Sequence, residues 1–123
     1  MTPLVVALAG GLGAALRFLV DGEIRSRVPR HLPVSTIVVN VTGSALLGGL
    51  AAAHVQGLLP VTVHLVAATG FCGGYTTFST SMLETVRLAQ AGAYRLAVAN
   101  AGLTLVLAVA AAAAGYGVVS GLV

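Results

Sequence analysis

Charge is what this sequence has least of. Only 7% of its 123 residues are charged, against about 25% in ordinary globular domains. Lysine and tryptophan are absent, and the six basic residues are all arginine. A surface drawn from so few charges cannot stay solvated, which excludes a water-soluble enzyme. The apolar set takes 58% of positions without counting the 16 glycines, and the mean hydropathy is +1.02. Intrinsic disorder is excluded as well, because it needs low hydrophobicity and high net charge. A pI near 9.8 and a net charge of +3 raise the question of nucleic acid, but the arginines form no run, and that class falls away. The single cysteine, Cys72, excludes an intrachain disulfide and a cysteine-cluster metal site. His31, His54 and His64 are scattered without ligand spacing and read as interfacial or loop histidines.

What is there is apolar and comes in four stretches, roughly 3–20, 34–53, 61–84 and 96–119. A bilayer core of about 30 Å takes about 20 helical residues, so each is long enough to cross. Closed β-barrels show short alternating segments instead, and none occurs here. The first stretch lacks the basic start of a signal peptide and three more follow it, so it reads as a retained helix. The expected fold is all-α and integral to the membrane: four transmembrane helices in a single domain over 1–123. Only short loops remain outside, so function must sit within the helices.

The arginines are lopsided. Arg17, Arg25, Arg27 and Arg30 lie at the first loop, and Arg87 and Arg95 flank the third. Helices alternate direction, so both loops share one side of the membrane. Positive loops face the cytoplasm, which places both termini outside.

The third stretch is unusual at its middle, Gly70-Phe71-Cys72-Gly73-Gly74-Tyr75-Thr76-Thr77-Phe78-Ser79-Thr80-Ser81. Glycine weakens a helix interior, and hydroxyl side chains compete for its backbone hydrogen bonds. The composition predicts a break near Gly73–Thr77, with an intact helix carrying a polar face as the alternative. Non-helical backbone at that depth needs protein, water or an ion to satisfy it. Ser44 and Gly48, and Gly70 and Gly74, have the small-xxx-small spacing of close helix packing. Asn40 is the other conspicuous intramembrane group. It reads as interhelical glue or as a donor lining a narrow polar path, and Asn100 and Thr104 invite the same question. No carboxylate lies mid-membrane, where one costs about 2.5–3.5 kcal/mol on insertion scales. Glu84 sits at the end of the third stretch, where Arg87 is spaced to pair with it. A passive path is favoured over proton-coupled antiport.

These residues carry a resemblance. The segments Gly10-Gly11-Leu12-Gly13-Ala14-Ala15-Leu16-Arg17-Phe18, Val39-Asn40-Val41-Thr42-Gly43-Ser44 and Gly70 to Thr80 are similar to those of the CrcB/Fluc family of fluoride channels. Length and four-helix layout agree too. The resemblance implies an antiparallel dimer with two narrow fluoride pathways. It also implies a structural sodium ion at the dimer centre, on backbone carbonyls that fall by position on Gly73 and Thr76. The family's pore phenylalanine falls on Phe78, whose ring edge carries the positive part of the quadrupole and can face a small anion. Ser79 and Thr80 would continue the path as hydroxyl donors, Asn40 matches the pore asparagine, and Arg17 the basic residue at the mouth.

One position departs. The family pattern continues to a second phenylalanine where this chain has Ser81, on the same helix face as Phe78. Together with the one-sided arginines, this suggests half of a heterodimer, paired with an oppositely oriented homologue. The expected function is passive export of cytoplasmic fluoride across the plasma membrane of a microbe, with no catalysis. Two other classes stand beside it. A small multidrug-type proton antiporter would carry a carboxylate in the first helix, and 7–16 contains none. A non-conducting subunit that orients a competent partner would tolerate mutation of Phe78 or Asn40 without loss of flux.

Overall fold

The computed structural model describes residues 1–29 and 33–122, so Arg30 and His31 lie outside the described residues. Every regular element within them is helical. Helix α1 spans Thr2–Arg25 and opens on Pro3, whose fixed φ suits a first turn. Helix α2 spans Val34–Val55 directly after Pro33. The region from Val61 is divided into α3 (Val61–His64), a π-helical segment (Leu65–Cys72) and α4 (Gly73–Tyr75). Thr76 and Thr77 follow in extended conformation, and then α5 (Phe78–Gln90) and α6 (Tyr94–Leu122). Among the described residues three helices, α1, α2 and α6, are long and apolar enough to cross a membrane.

Turns are built from residues suited to them. Gly57 and Gly92 adopt φ of 77° and 80° immediately beyond α2 and α5. Each is followed by a backbone N–H that reaches back to the helix end, Leu58 to Ala53 and Ala93 to Leu88, both at 2.9 Å. These are glycine-terminated helix ends that satisfy otherwise orphaned carbonyls.

Polarity is distributed inside out relative to a soluble domain. Ser35, Thr36, Asn40, Ser81 and Asn100 are buried, while Leu8, Leu12, Leu19, Leu105, Val106 and Val109 are exposed. Exposed apolar area on this scale needs lipid or protein against it. The chain is a multi-pass membrane protein. Its helices pack in two groups, α1 along the π segment and α4, and α2 along α6, with α5 resting on α6. The α2–α6 seam is tight because small residues face each other. A Cβ at Gly48 would run into the Ala112 backbone, and one at Gly115 into that of Ala45. Ser44-to-Gly48 spacing thus serves packing, as does Gly74, which lies against Gly10 of α1.

Candidate functional site

The site is built around the extended pair Thr76–Thr77. Thr76 has φ −82° and ψ 160°, and Thr77 has φ −147° and ψ 120°. Such a gap frees backbone groups that must be satisfied elsewhere. The Thr77 N–H, which an unbroken helix would send to the Gly73 carbonyl, donates instead to Asn40 Oδ1 at 2.8 Å. Asn40 Nδ2 donates to the Thr77 carbonyl, also at 2.8 Å. Asn40 therefore clamps both backbone groups of one residue. The Thr77 hydroxyl caps α5 by accepting the Thr80 N–H at 3.2 Å. On the other side, the Thr76 carbonyl accepts from Arg17 Nη1 at 3.1 Å. Tyr75 is anchored through its hydroxyl to Thr42 Oγ1 at 2.9 Å.

Two cavities flank this pair. One of about 240 Å³ is lined by Arg17, Asp21, Arg25, Thr36, Thr77 and Thr80. The other, about 290 Å³, includes Asn40, Thr76, Thr77, Phe78, Ser81 and Thr104 in its wall. Thr77 belongs to both. The expected site residues thus gather as follows. Arg17 and Thr80 stand in the first cavity and Asn40, Phe78 and Ser81 in the second. Ser79 is exposed and lines neither of these two, and Gly73 is exposed with nothing within 4 Å of where a Cβ would be. Phe78 and Ser81 share a cavity, yet Phe78 is 77% exposed and Ser81 only 1%. Ser81 is turned toward α6.

Several functional contacts escape sequence reasoning. Asn100 Nδ2 donates to the Ser81 carbonyl at 3.3 Å and to Thr85 Oγ1 at 2.8 Å. Its amide in an apolar helix was a signal, whereas nothing in the sequence marked Thr85. At the arginine-bearing end, Arg25 pairs with Asp21 at 2.9 Å and reaches Glu84 at 3.7 Å. Ser35 donates to Asp21 and Thr36 to Glu84, so α1, α2 and α5 are tied together. The spacing-based pairing of Glu84 with Arg87 is not formed: Glu84 turns inward to Arg25 and Thr36, and Arg87 is exposed. His54 and His64, unremarkable by spacing, stack at 4.5 Å across the second loop. Among the described residues no group of three or more His, Cys, Asp or Glu is placed to hold a metal ion.

Comparison with known proteins gives this arrangement a context. A fluoride-specific ion channel FluC 1 of Leifsonia xyli is 48% identical over 118 residues, covering 94% of this chain and 86% of the relative. A fluoride-specific ion channel FluC 2 of Mycobacterium tuberculosis is 49% identical over 110 residues, covering 89% and 84%. A FluC 3 of Bifidobacterium longum is 41% identical over 114 residues, covering 93% and 94%. The family described as CrcB-like protein, Camphor Resistance (CrcB), matches residues 4–116, and the chain belongs to it.

Proposed function

We propose that this chain is a fluoride-specific ion channel through which cytoplasmic fluoride leaves the cell passively. The observation that carries the reading is that relatives named fluoride-specific ion channels match it over 84–94% of their length. The geometry supports it. One cavity wall joins the Phe78 ring to the Asn40 amide and to hydroxyls, and neither acid nor base stands among its lining residues. An anion there meets a ring edge and neutral donors rather than a fixed charge. The membrane potential is worth about 2.3 kcal/mol per charge per 100 mV, enough to drive accumulated anion outward. No bond is made or broken, and the protein is not an enzyme.

The finer architecture belongs to the same proposal. The stretch 61–84 is the third of four crossings, a helix broken at Thr76–Thr77 in mid-membrane. Two such subunits pair antiparallel, the arginine-rich loops of this one facing the cytoplasm and its termini outside. Arg17 stands at the mouth, Phe78, Asn40 and Thr80 line the path, and Ser79 continues it once a partner covers its exposed face. Because all six arginines lie toward one side, this chain inserts one way. Its partner is then an oppositely oriented homologue.

A structural sodium ion fits the backbone at the break. The Gly73 carbonyl has lost its helical donor to Asn40, and Gly73 is exposed on the single chain. The Thr76 carbonyl already accepts from Arg17, and a carbonyl oxygen keeps a second lone pair. Gly73 and Thr76 would hold the ion, a hard cation that neutralises carbonyl dipoles where two subunits meet.

The test is fluoride efflux from liposomes holding the purified chain, with sodium present and chloride as control anion. Fluoride-selective efflux from the chain alone, or only after an oppositely oriented homologue is added, supports the channel. Efflux from the chain alone overturns the obligate heterodimer. No efflux in either case overturns the channel reading. Mapping the termini in cells tests orientation, and equal populations on both sides would overturn the fixed insertion.

A further inference from the structure

Three polar atoms lie buried near the α5–α6 seam without a hydrogen-bond partner among the described residues: Ser81 Oγ, Asn100 Oδ1 and Thr104 Oγ1. Ser81 is 1% and Asn100 2% exposed. Asn100 touches Ser81 through the Ser81 carbonyl. Thr104 lies one turn further along α6, on the same face, and shares the 290 Å³ cavity wall with Ser81. An unpartnered buried polar group is destabilising, and three along one helix seam call for a ligand there.

The donor and acceptor pattern selects that ligand. Asn100 has its amide orientation fixed, because the Ser81 carbonyl can only accept and must face Nδ2. Both Nδ2 hydrogens are committed, to Ser81 and Thr85, which leaves Oδ1 as an acceptor alone. A bare anion is repelled by that oxygen. A bare cation would find one amide oxygen and two hydroxyls, with no carboxylate in the cavity wall and no backbone carbonyl freed by a helix break to complete its shell. Only a group that both donates and accepts meets all three atoms. We infer that a resident water molecule occupies this seam, donating to Asn100 Oδ1 and accepting from the Ser81 and Thr104 hydroxyls.

Such a water has a second hydrogen to offer. Ser81 and Thr104 belong to the wall of the cavity that also holds Phe78, and a water behind that wall would turn its second hydrogen toward whatever occupies the cavity. A small side chain at position 81 thereby replaces bulk with a fixed water. The hydration site stands independently of the fluoride reading, and its role beside the ion path rests on that reading.

The test uses the full chain in detergent and in liposomes, with Ser81→Ala and Thr104→Val. A structure at a resolution that shows ordered water should place one within hydrogen-bond distance of all three atoms. Each variant should lower the unfolding midpoint by several degrees, because removing one partner weakens the water and strands the others. Thermal unfolding is readable with a thiol-reactive dye, since Cys72 is buried in the folded chain. Alanine favours a helix over serine, so a fall for Ser81→Ala runs against propensity. A dry seam, density that depends on sodium, or midpoints that hold or rise would overturn the site. In liposomes, Ser81→Ala should slow fluoride efflux several-fold, and unchanged efflux would overturn the role in conduction. A wild-type preparation silent with and without a homologue would overturn the fluoride reading, and the midpoints would still decide the water.

Discussion

Arg17 Nη1 donates to the Thr76 carbonyl at 3.1 Å, from one helix to the open end of another. A cation at a helix C-terminus is favourable because the last carbonyls carry partial negative charge. The same carbonyl is one of the proposed sodium ligands, so the two cations would share it. Removing the guanidinium leaves sodium as the only cation for that oxygen. Arg17→Ala should therefore unfold at a lower temperature than wild type in potassium buffer and gain more from added sodium. Midpoints measured across a sodium series check this, and parallel curves for the two proteins would count against shared use.

Asn40 is expected to be the more damaging position. Asn40→Leu removes both hydrogen bonds to Thr77 and leaves two half-buried backbone groups unpaired. At about 1–3 kcal/mol for each stranded group, the loss is large beside the total stability of a small domain. Asn40→Asp keeps the acceptor for the Thr77 N–H and loses the donor, placing an anion beside a carbonyl. Both should lower the midpoint and abolish fluoride efflux.

The α2–α6 seam gives a prediction about volume. Gly48→Ala drives a methyl group into the Ala112 backbone, whereas Gly102 has nothing within 4 Å of its missing Cβ. Overpacking of this kind costs about 1–3 kcal/mol. Gly102→Ala should be neutral or stabilising by up to about 1 kcal/mol through helix propensity. Denaturation of the two variants side by side, in one detergent, separates packing from glycine loss as such.

Phe78 offers its ring to the cavity while remaining 77% exposed on the single chain. Phe78→Leu keeps apolar volume and removes the electropositive edge. An aromatic contribution of about 0.5–1.5 kcal/mol corresponds to a fall of up to roughly tenfold in fluoride efflux, with little change in unfolding midpoint. Unaltered efflux would favour a subunit that supports its partner without conducting.

Charge at the arginine-bearing end should matter modestly. Arg25 bridges Asp21 and Glu84, with its side chain 38% exposed, and pairs that reach solvent contribute about 0.2–1 kcal/mol. Arg25→Gln should lower the midpoint slightly and lose that difference in high salt. Arg87→Gln should leave stability unchanged, because Glu84 is engaged elsewhere.

The runs behind α1, α2 and α6 are visible in the sequence because a bilayer demands long apolar stretches. The extended pair Thr76–Thr77 lies where glycines and hydroxyls cluster, since backbone competition is a local effect. Tertiary partners are not local. Asn40 was visible as an expensive amide, but its target 37 residues away was not. Glu84 was paired by spacing with Arg87, yet α1 brings Arg25 closer to it. The widened turns of Leu65–Cys72 leave no distinctive trace in composition, because apart from Gly70 the residues there are ordinary in an apolar helix.

The clamp between Asn40 and Thr77 also has a consequence for biosynthesis. Chains are made at about 5–20 residues per second, so Asn40 leaves the ribosome seconds before Thr77. Helix α2 is then already present as a template when the segment around Thr77 arrives. That segment can open its backbone onto a waiting amide and need not enter the bilayer with bare peptide groups. Circular permutation that placed 61–90 ahead of α2 would reverse this order and deprive the nascent segment of its guide.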